Sequence, residues 1–144
     1  MTVAAILAEK GREVTRATPD ITLEAAARQL AEWKIGALVV VDGSDHIVGI
    51  VSERDIVRAI AASGAAALEA AVETAMTRKV VTCSDAETIN DVMGRMTEGR
   101  FRHLPVADDA GHLSGIISIG DVVKARIGQV EREAEEMRAY IAAV

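Results

Sequence analysis

The chain has 144 residues, half of them apolar, and a formal net charge of −6. That length suits one domain, or two small halves sharing a core. The acidic balance and an aromatic content of 2% argue against a nucleic-acid binder, which needs cations for phosphate and rings for stacking.

Cys83 is the single cysteine, so no internal disulfide forms, and with three scattered histidines it gives no metal-ligand spacing. No apolar run reaches the roughly 20 residues that span a membrane. The start, MTVAAILAEKGRE, lacks the basic n-region of a signal peptide. A soluble cytoplasmic protein is expected.

In chain order, a lead-in VAAIL (3–7) comes first. Thr22 then reads as an N-cap, with Leu23, Ala26, Ala27 and Leu30 making one apolar helix face. ALVVV (37–41) and IVGIVS (47–52), joined by the polar turn DGSDH, read as a β-hairpin. A helix, DIVRAIAA, follows Ser52, and the Ala-rich stretch 63–71 links onward. VETAM (72–76) resembles the first lead-in. Thr88 caps a helix with Ile89, Val92, Met93 and Met96 on one face. HLPVA (103–107) and LSGIIS (113–118) make a second hairpin, and DVVKARIG opens a last helix.

Residues 14–59 align with 80–125 without a gap at an offset of 66, with pairs such as Val14/Val80, Asp42/Asp108, Gly49/Gly115, Ser52/Ser118 and Asp55/Asp121. Two copies are too few for a solenoid and imply two halves facing each other about a pseudo-twofold axis. The expected divisions are a first repeat with its lead-in at 1–62, a linker at 63–71, a second repeat at 72–128 and a helical tail at 129–144.

The repeated Gly-apolar-apolar-Ser-x-x-Asp ends a strand and starts a helix, where free N–H groups attract anions. Ser52 and Ser118 could donate to phosphate; Asp55 and Asp121 could accept from ribose hydroxyls. Ser and Asp are also ordinary helix caps, and spacing alone leaves both readings open.

The motifs AMTRKVVTCSDAET (75–88), RHLPV (102–106), GIISIGD (115–121) and GALVVVDG…IVGIVSERD, doubled and in this order, resemble a tandem pair of CBS domains, the Bateman module. The resemblance covers about residues 3 to 128. It implies an α/β (α+β) fold of two β-α-β-β-α repeats with a C-terminal helix. It also implies ligands such as AMP, ADP, ATP, NAD-type dinucleotides or S-adenosylmethionine, with Asp on ribose and Ser on phosphate. Carried over, one pocket combines Ser118 and Asp121 with Val14 and Thr15. The other combines Ser52 and Asp55 with Val80 and Val81.

Cations differ between the halves. Arg100, Arg102 and His103 match Lys34, Gly36 and Ala37, while Arg54 matches Gly120. The expectation is that Arg102 and His103 serve phosphate in the Asp121 pocket and Arg54 serves it in the Asp55 pocket, making Asp121 the more important aspartate. His46 and His112 read as surface residues of the turns.

No nucleophile arrangement, Walker loop or metal cluster emerges. The expected function is a non-enzymatic, free-standing adenine-nucleotide sensor without a required cofactor, with an unknown effector protein as a further partner. A protein-interaction adaptor with empty pockets and a small nucleotide-acting enzyme are the rivals. Past Asp121, Val123, Ile127, Val130, Ala134, Met137 and Ile141 recur at steps of 4, 3, 4, 3 and 4 among charges, a stripe that predicts a homodimer.

Overall fold

Two hairpins, each flanked by two helices, carry the architecture, and a computed structural model describes residues 1–143. The elements are α1 (Val3–Lys10), β1 (Arg16–Ala17), α2 (Leu23–Trp33), β2 (Ala37–Val41), β3 (Ile47–Ser52), α3 (Glu53–Ser63), α4 (Ile89–Gly99), β4 (His103–Ala107), β5 (Leu113–Ser118) and α5 (Ile119–Ala143). The linker coils into a 3-10 turn at Gly64–Glu69.

The caps read from sequence are present. Thr22 Oγ1 accepts from Ala25 N at 3.1 Å, and Thr88 Oγ1 from Asp91 N at 3.2 Å. β1, β2 and β3 form a sheet, parallel then antiparallel, while β4 and β5 pair antiparallel. Cys83 keeps the place of β1 in the second half as one parallel bridge to Val106. Both hairpins carry an irregularity at the same repeat position, Val40/Val41 and Val106/Ala107.

The lead-ins cross over. Val3, Ile6 and Leu7 are buried with Cys83, Ile89, Val92, Leu104 and Ile117, so α1 completes the core of the second half. Val72 and Met76 are buried with Leu23, Leu30, Leu38 and Val51 of the first. Backbone bonds fix the exchange: Val3 N donates to Glu87 O at 2.9 Å, and Val72 N to Ile21 O at 2.7 Å. Gly115 makes room for α1, since a Cβ there would lie 2.8 Å from Leu7 Cδ1. Each fully buried aliphatic side chain contributes about 1.5–3 kcal/mol, so exchanging three of them one way and two the other holds the halves together more firmly than any surface ion pair could.

A third cluster, Val39, Val41 and Leu113 with Val14, Ile47 and Ile116 against them, fills the space between the hairpins. At the far end of this seam the turns meet. His46 and His112 form an antiparallel bridge, with ring centroids 4.6 Å apart. They are half-buried partners across the pseudo-twofold axis, where sequence suggested two free surface residues. Each turn is held by its aspartate: Asp42 Oδ1 accepts from Ser44 N and His46 N, Asp108 Oδ1 from Ala110 N and His112 N.

Candidate functional site

Each Ser-x-x-Asp begins its helix one residue after the serine, not near the aspartate. Asp55 and Asp121 are therefore third in α3 and α5. At that position a carboxylate reaches back to the cap. Asp55 Oδ2 accepts from Ser52 N at 2.8 Å and Ser52 Oγ at 3.0 Å, while Ser52 Oγ accepts from Asp55 N at 3.3 Å. Asp121 Oδ2 accepts from Ser118 N at 2.8 Å, and Ser118 Oγ from Asp121 N at 3.2 Å. The capping reading is thus correct for one oxygen of each aspartate. The second oxygen, Oδ1, has no partner among the described residues, so the ribose role is not displaced.

Two clefts lie between the halves. The first, about 620 Å³, is lined by Val14, Thr15, Ser118 and His103, with Trp33, Ile35 and Ile116 supplying apolar surface. Asp121 does not line it. Lys10 lies there instead, with Nζ 2.6 Å from Asp121 Oδ2 and 2.9 Å from Ile116 O. Burial pushes the Asp121 carboxyl up in pKa, but the Lys10 and Ser118 hydrogen bonds outweigh it and hold the group below its ordinary range. Arg16, on the same wall, is spent on Asp45 at 2.6 Å.

The second cleft is continuous across cavities of about 340 and 460 Å³ that share Ser52, Arg54, Arg58, Arg100, Arg102 and His103. Asp55, Val80 and Val81 line the first of these. Here Arg102 departs from expectation: it lines the Asp55 cleft, not the Asp121 one. Its carbonyl is taken by Ile119 N at 2.8 Å at the start of α5, and its side chain crosses to the other half. The carbonyl of Gly36, the matching position in the first repeat, accepts from Glu53 N at 3.1 Å, and without a side chain the residue borders both clefts. His103 is shared by both clefts.

Sequence reading missed Lys10 and Trp33 in one cleft and Arg58, Lys79 and Phe101 in the other. The available signal is the repeat itself: the resemblance pairs Val14 and Thr15 with Ser118, and Val80 and Val81 with Ser52, across the axis, and the residues before the hairpins need the same crossing. Cys83 is buried, and burial followed by the nearby Glu87 charge pushes its thiol up to about 11. It therefore stays protonated and unreactive at neutral pH. Among the described residues no group of three His, Cys, Asp or Glu could hold a metal, and no helix is long and apolar enough to cross a membrane.

Burial, then the Lys10 charge, hold the His103 pKa below its ordinary 6.5, although Asp121 and Glu53 pull the other way. The unfolded chain therefore binds this proton first on acidification. Stability falls as pH drops through about 6.5 toward the depressed folded value, and is unaffected by this group above it. Thermal melts from pH 7.5 to 5 should show this loss for the native chain and a flatter profile for His103→Gln. Parallel profiles would refute the assignment.

Crossed lead-ins, paired hairpins and two quasi-equivalent clefts define a tandem-repeat α/β module. The CBS domain family profile matches residues 10–62 and 71–128, and the chain belongs to that family. A CBS-domain protein of Agrobacterium tumefaciens superposes with a TM-score of 0.84 at 49% identity, over 88% of this chain and 99% of that one. The CBS domain pair of protein MJ0100, in complex with 5′-methylthioadenosine and S-adenosyl-L-methionine, gives 0.80 at 28% identity over 90% and 98%. CBSX2 in complex with AMP gives 0.75 at 27% over 90% and 98%.

Proposed function

We propose that this chain is a non-catalytic regulatory module that binds an adenine nucleotide between its repeats and acts as a homodimer. The carrying observation is the Asp55 cleft. It joins a free carboxylate oxygen, the start of α3, apolar surface at Val80 and Val81, and guanidinium groups from the opposite half. Those are the chemistries of a ribose, a phosphate and a base. The two relatives that hold adenosine ligands, AMP in one and methylthioadenosine with S-adenosylmethionine in the other, support the same class of ligand here. Binding would be read out through the subunit arrangement, because α3 and α5 start at the clefts and carry the exposed apolar residues Val57 and Val123 at equivalent repeat positions.

Thermal unfolding against AMP, ATP and NAD tests the reading. A ligand at about 100 times its Kd adds about 2.7 kcal/mol to stability. Melting temperatures unmoved by all three at millimolar level would leave an interaction adaptor with empty clefts. Conversion of any of them during incubation would favour an enzyme.

A further inference from the structure

The Asp55 cleft collects charge that a nucleoside monophosphate would not need. Arg54, Arg58, Lys79, Arg100 and Arg102 line it, against two carboxylates, Glu53 and Asp55. Among the described residues none of the five cationic side chains makes an ion pair, although seven other pairs form in the same molecule. Five cations against two carboxylates around one concavity, in a chain of net charge −6, leave a local positive excess whose self-repulsion an anion would relieve.

Arg100 adds a second mark. It ends α4 in the left-handed conformation, φ 57°, where helices ordinarily place glycine. Lys34 ends α2 in the same conformation, φ 54°, at the matching repeat position, so the turn belongs to the repeat; what distinguishes this cleft is that the residue there is an unpaired arginine beside four other unpaired cations. The 620 Å³ cleft is different. Lys10 is tied to Asp121 and Arg16 to Asp45, which leaves Lys34 as the one lining cation without a partner among the described residues.

We infer that the Asp55 cleft selects a nucleoside di- or triphosphate over a monophosphate, with Arg54, Arg58, Arg100 and Arg102 holding the phosphates beyond the first. The inference rests on the nucleotide reading above and adds the class of ligand. Guanidinium forks match phosphate oxygens in pairs, so each added phosphate has planar donors to meet. Cavities of about 340 and 460 Å³ suit a small molecule, not a protein surface.

The experiment is calorimetric titration of the full chain with AMP, ADP, ATP and inorganic tripolyphosphate in magnesium-free buffer. ATP should bind at least about tenfold tighter than AMP, and the margin should shrink when salt rises and the Debye length shortens. Tripolyphosphate alone should bind. It should leave the fluorescence of Trp33, the single tryptophan, unchanged, because that residue lines the other cleft. Arg100→Gly removes the guanidinium and relieves the left-handed backbone, so the fold is retained; ATP affinity should nevertheless fall about tenfold, with AMP much less affected. Equal affinity for AMP and ATP with tripolyphosphate silent would overturn the polyphosphate assignment and leave the nucleotide reading standing. Tripolyphosphate binding without any nucleotide binding would overturn the nucleotide reading instead. Capture of polyglutamate but not tripolyphosphate would reassign the cations to an acidic chain.

Discussion

Asp55→Asn should weaken adenine-nucleotide binding about tenfold or more, because a hydrogen bond to a charged group contributes roughly 1.5–3 kcal/mol. Asparagine keeps an oxygen to accept from Ser52 N, so the cap of α3 survives and the fold melts within a few degrees of the native chain. The matching change at Asp121 should cost less. Lys10 already holds that carboxylate at 2.6 Å, and Lys10 rather than Asp121 faces the 620 Å³ cleft. This ordering reverses the one the sequence suggests, since Arg102 lines the Asp55 cleft. Calorimetry on the two variants decides it. Native affinity in Asp55→Asn, or a larger loss in Asp121→Asn, would refute the assignment.

Truncation after Gly128 should dissociate the proposed homodimer. α5 runs for 25 residues, about 37 Å, and buries only Val122 fully. Val123, Ile127, Val130, Met137 and Ile141 are 47%, 54%, 48%, 59% and 66% exposed, so the stripe is not covered by its own chain. A helix with such a face is marginal in water without packing. Removing four of the stripe positions from each subunit, at about 1.5–3 kcal/mol per fully buried side chain, should raise the dimer dissociation constant at least about a hundredfold. Sedimentation or light scattering across a dilution series reads the shift. A truncated chain as dimeric as the native one would place the interface elsewhere, with Val57 and Ile60 of α3 as the next exposed apolar pair.

The repeat made most of the fold legible. Once residues 14–59 superpose on 80–125, periodicity places the helices and the two hairpins follow from their turns. The exchanged lead-ins are another matter. VAAIL and VETAM look alike as strings, and only packing shows Leu7 under Gly115 and Met76 under Gly49. For the site, Ser52, Asp55, Val80, Val81, Val14, Thr15 and Ser118 come together in the two combinations that the resemblance implied, with Asp121 screened. Arg102 falls in the other cleft because the residue just before a strand can point its carbonyl and its side chain into different halves, a choice linear spacing does not record. Lys10 was invisible for a similar reason. It ends α1, 111 residues from the aspartate it binds, and its role depends on the crossover.

Equilibrium dialysis of the full chain against labelled AMP and ATP tests the central claim most directly. Saturable binding to the native protein is predicted, with no more than two molecules per chain and nucleotide recovered unchanged. The Asp55→Asn, Asp121→Asn double variant should lose at least about tenfold in affinity while keeping its melting transition. Absence of saturable binding, or equal binding by the double variant, would contradict the claim that these clefts are nucleotide sites.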